Sequence, residues 1–372
     1  MRVRRLFLRD FRNHERSEAE FGGGINALVG DNGQGKTNVL EAISYLCLTK
    51  SFYAGADGTV LRLGAEAFRV EGSLVSDAGA ETLVAVSYAS QERRKEIMLN
   101  GIPAESMVGV VGRFPVVILS PEHASVTGGS PAERRRFVDM LLSQVSRAYL
   151  AEALEYRRVL RQRNRLLRQL RGRVEGAAAT LEPWDDGLAR HGARLAARRA
   201  AFVREFSPFL LEAYRTFVRE GETPSIAYHP VPQGAAEGGV EEFSSCLAAV
   251  RGEEVRRGLS LVGPHRDEFR MELSGLNVQA YASQGQHKTF LVALKVAEFF
   301  YMKEKTRETP LMLLDDVFSE LDEGRTRRIL EMFAGLGQTV LTATGEEVFR
   351  GAVPWSGENR RHRVAHGTIR PA

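Results

Sequence analysis

The pattern of apolar and polar positions changes period several times along the chain, and each change marks an element. Residues 3–11 mix apolar and basic side chains as a twisted strand does, then end in a polar turn, Phe11-Arg12-Asn13-His14. The apolar run Ile25-Asn26-Ala27-Leu28-Val29 predicts a buried strand. Val39, Leu40, Ile43, Leu46 and Cys47 then fall at helical spacing, which predicts a helix over 36–47 with one side packed on a sheet. Between about residues 60 and 100 the period becomes two. Segments 68–72, 82–86 and 96–99 read as strands, and Asn100-Gly101 is a strong hairpin signal. A further apolar run at 115–120 predicts another buried strand.

After Pro121-Glu122-His123 the texture changes to long helices. Ser130 as a cap, Pro131 at the first position and Glu133 in the first turn agree on a helix start. Ala153, Tyr156, Leu160, Leu167 and Leu170 form a three-and-four seam that Arg163 interrupts. Leu188, Leu195, Phe202 and Phe209 recur every seventh residue, joined by Phe206. The turn at 172–176 lies between these seams, so the two helices are expected to fold back as a short antiparallel arm, with Ser207-Pro208 kinking the returning helix. A Pro- and Gly-rich loop at 228–239 precedes a predicted helix over 241–258. Residues 259–267 read as a strand running into a turn, and 269–273 as another strand. A largely buried helix follows 282–288. Two apolar strands, 310–316 and 338–344, complete the chain's regular pattern. No repeat of fixed period occurs. Strands alternating with helices predict an α/β fold with a mostly parallel sheet and a ligand at its carboxyl edge.

At 372 residues the chain accommodates two or three domains, or one large α/β domain with an insertion. Its most apolar stretch, 289–302, is interrupted by Lys295 and Glu298, so no membrane span is expected. The N-terminus is basic but lacks an uninterrupted apolar segment, and reads as a first strand rather than a leader. Two cysteines, Cys47 and Cys246, give no disulfide framework and suggest a reducing, cytoplasmic setting. A net charge of +4 is mildly basic and by itself points only weakly to nucleic acid.

The candidate chemistry begins where the buried strand ends. Gly30-Asp31-Asn32-Gly33-Gln34-Gly35-Lys36-Thr37 sits between strand and helix, the context of a phosphate-binding loop. Glycines let backbone N–H groups curl around phosphate oxygens, and the helix N-terminus adds positive potential. Lys36 would reach the β- and γ-phosphates of ATP, and the Thr37 hydroxyl would hold Mg²⁺. Gly30, Asn32, Gly33, Gln34, Gly35 and Asn38 are further candidate nucleotide contacts. The strand over 310–316 ends in Asp315-Asp316. Asp315 is placed to bind the Mg²⁺ held by Thr37, and Asp316 to orient or activate the attacking water. Ser283-Gln284-Gly285-Gln286 opens a helix; alone it reads equally well as a structural cap.

In company with the other motifs, Ser283-Gln284-Gly285-Gln286 resembles the ABC-type signature, whose Ser hydroxyl and helix N-terminus bind a γ-phosphate. Phe11-Arg12-Asn13, the loop at 30–37, Pro121-Glu122 through Arg134-Arg135-Arg136-Phe137-Val138-Asp139, this signature, and Leu314-Asp315-Asp316-Val317-Phe318-Ser319-Glu320-Leu321-Asp322 together resemble the RecF family, bacterial recombination-mediator ATPases related to the heads of chromosome-maintenance ATPases. The resemblance spans nearly the whole chain. It implies an ABC-type ATPase head with a mixed sheet and an inserted helical domain, divided as 1–122, 123–240 and 241–372. It implies an ATP-dependent homodimer in which Ser283, Gly285 and Gln286 of one subunit complete the nucleotide site of the other. Arg12 and Asn13 match a phosphate-contacting turn, and Ser319 to Asp322 match a dimer-contact loop. It also implies slow, DNA-stimulated hydrolysis and cooperation with RecO and RecR in loading RecA at single-strand gaps. Two positions depart from the wider ATPase pattern. Thr344 stands where transporter ATPases carry a switch His, and no Gln occurs near 120–123.

Charge placement bears on DNA. Arg157, Arg158, Arg161, Arg163, Arg165, Arg168, Arg171 and Arg173 occupy a stretch without an acid, and Arg134 to Arg136 lie on an earlier helix. Such a run suits phosphate neutralisation, with a solvated face of the arm as the alternative. No aromatic residue interleaves with it, so duplex-backbone contact is favoured over base stacking. Two other classes compete: the ATP-binding subunit of a membrane transporter, which needs a surface for coupling helices, and a small-molecule P-loop kinase, which needs neither the signature nor the arm.

Overall fold

The protein is described from a computed structural model, which covers the chain apart from residues 53–54, 173–175, 219–220, 238, 319–322, 350, 352 and 356. Two compact units result, one formed by Met1–His123 with Phe299–Ala372 and the other by Ala124–Glu298. Residues 241–298, expected with the C-terminal half of the head, thus cluster with the helical unit.

The first unit opens with β1 (Arg2–Phe11), β2 (His14–Glu20), β3 (Ile25–Val29), α1 (Lys36–Leu48), β4 (Ala67–Val75), β5 (Glu81–Ala89), β6 (Arg94–Leu99), the short β7 (Ile102–Pro103) and β8 (Val116–Leu119). Strands β2-β1-β4-β5-β6-β7 form an antiparallel sheet in that order. Strand β2 was hidden in the sequence because its inward positions are His14, Ser17 and Ala19, which carry little apolar signal. Helix α1 is buried almost all round. Tyr45 on α1 packs edge-on against Phe11 and Phe68 of the antiparallel sheet, with centroids 5.6 Å away in each case. A helix that touches apolar neighbours on several sides needs no polar face.

The second unit comprises α2 (Ala124–Gly128), α3 (Pro131–Val145), α4 (Arg147–Gln169), α5 (Ala177–Arg215), β9 (Pro224–His229), α6 (Gly239–Arg257), β10 (Glu268–Leu273), β11 (Leu276–Asn277), α7 (Val278–Tyr281) and most of α8 (Gln284–Thr306). Helices α4 and α5 run antiparallel, as pairs such as Arg163–Asp185 and Glu152–Arg194 require. Helix α5 runs unbroken through both Pro183 and Pro208. Near the turn of the hairpin, Leu167, Ala177 and Leu181 pack with Val255 of α6 into a small apolar cluster.

Residues 259–262, expected as a strand, form none. Two of their backbone donors are taken by side chains: Ser260 N–H by Asn164 Oδ1 and Leu261 N–H by Glu254 Oε1, both at 2.7 Å. Arg163, the residue that breaks the α4 seam, is fully buried and explains why. It donates to Asp185 and Glu254 at 2.7 Å and to Ser260 Oγ at 2.8 Å, so the arm contains a closed ionic cluster where an apolar layer was expected.

The chain returns to the first unit with β12 (Leu311–Leu314), α9 (Glu323–Ala334), β13 (Thr339–Ala343), β14 (Arg360–Ala365) and β15 (Thr368–Pro371). The order is β15-β14-β3-β13-β12-β8, with every pairing parallel except β14 with β15. This sheet is mixed, with its carboxyl edge carrying the loop after β3 and the acids after β12. No helix among the described residues is long and apolar enough to cross a membrane.

Candidate nucleotide site

The loop after β3 is held by close backbone packing. Gly35 has φ near +110°, and a Cβ there would lie 2.5 Å from Asn13 Oδ1. At Gly30 an added Cβ would lie 2.2 Å from the Val364 carbonyl oxygen on β14. Both positions therefore exclude a side chain.

Lys36, only 8% exposed, sits inside this loop and donates to the carbonyls of Gly30 (2.5 Å) and Asp31 (2.8 Å). Burial pulls its pKa below the usual lysine value, while Asp316, Asp315 and Asp31 pull it back up. A point charge is thus stored where phosphate oxygens would approach.

Thr37 and Asp315 meet. The Thr37 hydroxyl lies 2.8 and 3.0 Å from the two Asp315 carboxylate oxygens. Thr342 of β13, the strand beside β12, adds a second donor to Asp315 at 2.9 Å, and its hydroxyl accepts the Asp316 N–H at the same distance. Burial raises the Asp315 pKa, opposed by the hydrogen bonds from Thr37 and Thr342. This set of hydroxyl and carboxylate oxygens is hard, and suits Mg²⁺ bound through few protein ligands plus phosphates. Asp316 stands exposed just beyond, at φ near +47°, a left-handed conformation that is costly for a non-glycine residue and recurs at functional positions.

The turn between β1 and β2 braces the loop. Asn13 Nδ2 donates to the Gln34 carbonyl at 3.0 Å, and Asn38 Nδ2 donates to Asn13 Oδ1 at 2.7 Å. Arg12, expected at a phosphate, grips Glu41 of α1 with two bonds of 2.7 and 2.8 Å, and reaches the Thr59 carbonyl at 3.0 Å. Three supporting groups escaped the sequence reading. His14, fully buried, places Nε2 3.1 Å from the Gly35 carbonyl and Nδ1 2.9 Å from Ser17 Oγ. The β14–β15 hairpin supplies the N–H of His366 to Gln34 Oε1 at 2.7 Å and that of Gly367 to the Gln34 carbonyl at 3.1 Å. Thr342 is the third. The only available signal for His14 was its place beside Asn13; for Thr342 it was a hydroxyl inside an otherwise apolar strand.

In the second unit the predicted signature opens α8. Gln286 Oε1 accepts the Ser283 N–H at 2.8 Å, and Ser283 Oγ accepts the Gln286 N–H at 3.2 Å, a reciprocal cap. Ser283 is exposed and keeps its hydroxyl proton for an outside acceptor. Gly285 lies in the same first turn with only Ser283 Oγ at the edge of its Cβ sphere, so its backbone can be approached closely. The loop at 319–322, expected at a dimer contact, lies outside the described residues.

The arginine run divides in two. Arg163 is internal, as is Arg134, which pairs with Glu268 at 2.8 Å. Arg157 pairs with Asp139 and Arg158 with Glu155. Arg161, Arg165 and Arg168 are exposed at three- and four-residue spacing on α4 and form one stripe; Arg171 is also exposed, and Arg173 lies outside the described residues.

A phosphate loop, a buried strand-end carboxylate on its threonine and a mixed sheet with an inserted helical unit define a P-loop ATPase head of the ABC type. Residues 2–364 match the model of the RecF/RecN/SMC N-terminal domain. The DNA replication and repair protein RecF of Chloroherpeton thalassium is 41% identical over 94% of this chain and 96% of its own length. That of Salinibacter ruber is 40% identical over 98% of this chain and 89% of its own. A solved structure of the recombination mediator RecF with ATP, in the RecFOR pathway, superposes with a TM-score of 0.90 at 28% identity, covering 100% of this chain and 97% of that one. An SMC head bound to the winged-helix domain of ScpA shares the fold at a TM-score of 0.53 and 15% identity. The chain belongs to the RecF family, and the transporter reading is set aside.

Proposed function

We propose that this RecF-family ATPase binds Mg²⁺-ATP, dimerises around it on DNA, hydrolyses it slowly, and with RecO and RecR promotes RecA loading at single-strand gaps. The observation that carries the reading is the Thr37–Asp315–Thr342 cluster beside Lys36. On this reading Lys36 would hold the phosphates, Thr37 and Asp315 would hold Mg²⁺, and Asp316 would orient the attacking water. Bound Mg²⁺ supplies charge neutralisation on the phosphates. Ser283, Gly285 and Gln286 form the half-site offered to a second copy. The exposed stripe of Arg161, Arg165 and Arg168 supports duplex-backbone contact, with DNA stimulating hydrolysis by favouring the dimer.

The test is sedimentation with and without Mg²⁺-ATP, together with duplex retention at several salt concentrations. ATP is expected to convert monomer to dimer and strengthen salt-sensitive retention. Lys36→Met abolishes both; Ser283→Arg leaves monomer nucleotide binding intact and blocks dimerisation. If neither dimerisation nor DNA retention depends on nucleotide, the proposal fails.

A further inference from the structure

The signature turn is not held by its own residues alone. Gln286 uses its amide oxygen to cap the Ser283 N–H, and its amide nitrogen donates to Glu222 Oε1 at 2.7 Å. Glu222 lies in the connection between α5 and β9, far from the signature in sequence. Its other oxygen accepts the hydroxyl of Tyr214, at the end of α5. Burial and the Glu222 charge both raise the Tyr214 pKa, so the phenol stays protonated and donates. Tyr214 is itself fully buried and meets Phe290, one turn further along α8, with ring centroids 6.2 Å apart.

The orientation of Gln286 is over-determined by this chain. Flipping its amide would set NH₂ against the Ser283 N–H and the carbonyl oxygen against a carboxylate, two repulsions in place of two hydrogen bonds. We infer that Glu222, anchored by Tyr214, is the positioning residue of the signature: through Gln286 it fixes the first turn of α8, so that the Ser283 hydroxyl and neighbouring N–H groups are already aligned for a phosphate. Without Glu222 the Gln286 amide is free to rotate, the cap on Ser283 opens, and the ordering must be supplied when the partner subunit's nucleotide arrives. Preorganisation of this kind shows in the affinity of engagement and leaves nucleotide binding within one chain untouched. The inference rests on the reading of Ser283 as the phosphate ligand offered to a second copy.

The experiment uses the full chain with Mg²⁺ and ATP, reading two quantities: monomer affinity for a fluorescent ATP analogue, and the protein concentration at half-dimerisation. Glu222→Ala is expected to keep monomer affinity within about twofold and to raise the half-dimerisation concentration about a hundredfold, about tenfold for each of the two signatures in the dimer, the scale of one lost charge-assisted hydrogen bond apiece. Glu222→Gln should return it to within about threefold of wild type, because its carbonyl can accept from Gln286 while its amide donates to the Tyr214 oxygen. Tyr214→Phe, which keeps the ring packing, should give an intermediate loss and carries the test if Glu222→Ala does not fold. Wild-type dimerisation of Glu222→Ala, or a Glu222→Gln protein as impaired as Glu222→Ala, overturns the inference. Ser283→Arg, measured alongside, separates the two failures. If it still blocks dimerisation, only the role of Glu222 is lost; if it too dimerises normally, the signature reading is what failed.

Discussion

Thr342→Val removes one oxygen from the centre of the site while keeping the branched shape of the side chain. In the folded protein that oxygen serves twice, donating to Asp315 Oδ1 and accepting the Asp316 N–H, each at 2.9 Å. Thr342 is only 2% exposed, so water does not readily replace it. The change leaves the Asp316 N–H without its acceptor and one Asp315 oxygen without its strand-side donor. Each unsatisfied group costs about 1–3 kcal/mol. Global stability should therefore fall by roughly 2–6 kcal/mol in chemical denaturation of the nucleotide-free protein. The functional effect should be more selective. Asp315 would keep Thr37 as partner but lose the bond that fixes its plane, and losing such a support typically weakens a metal site about 10- to 100-fold. A Mg²⁺ titration of ATP hydrolysis reads this as a higher half-saturating Mg²⁺ concentration at unchanged affinity for metal-free nucleotide. A half-saturating concentration within about twofold of wild type, in protein shown to be folded, would refute the assignment of Asp315 as the metal carboxylate that Thr342 orients.

Three further outcomes follow from the electrostatics. Arg163→Met should destabilise the protein by about 3–5 kcal/mol, because it leaves the buried Glu254 carboxylate without a cation and Asp185 with only Arg251, at 3.1 Å. Arg161→Ala and Arg165→Ala should each leave stability within about 0.5 kcal/mol. Each should instead lower the salt dependence of duplex binding by about one phosphate contact, and an unchanged salt slope in both would remove the α4 stripe from the DNA surface. His362, 3% exposed with no partner for Nε2 among the described residues, has its pKa pushed down to about 4 by burial and by Arg360. Its neutral form is favoured by folding, so the associated stability is complete above pH 6.5 and drains away as pH falls toward 4, by at most about 3 kcal/mol. His362→Leu should flatten the decline of denaturation midpoint over that window; an equally steep decline would assign the acid sensitivity elsewhere.

The parts of the fold that could be read from sequence are those in which one segment states its own environment. The strand at 25–29, the buried helix after it and the strand ending at Asp315 are apolar runs bounded by polar turns, and each forms where expected. Strand β2 could not be read that way, since its inward face carries His14 and Ser17, whose burial is made tolerable by each other and by the carbonyls of Gly35 and Gly367. The same holds for 259–262, where acceptors on α4 and α6 take two of the backbone donors that a neighbouring strand would have taken. Arg163 belongs to this class. As one of eight arginines in a run it looked like surface charge; only the folded chain brings Asp185 and Glu254 to it.

The site divides along the same line. Lys36, Thr37 and Asp315 stand out in the sequence because a phosphate loop and a strand-end acid need particular residues at particular offsets, and the geometry brings Thr37 and Asp315 together. Arg12 is assigned to phosphate by likeness of motif, and the geometry adds that its guanidinium joins β1 to α1 through Glu41 and reaches the Thr59 carbonyl. Groups that act by holding other groups leave no such pattern. Thr342, His14 and Glu222 lie far along the chain from the residues they support, and their identities are constrained only by one hydrogen-bonding capacity at one point in space. The proposed nucleotide-driven latch would depend on these supports as well as on its ligands. The energy released on engagement is what remains after the cost of ordering the ligands, and in this chain much of that ordering is already built into the fold by residues that touch no phosphate.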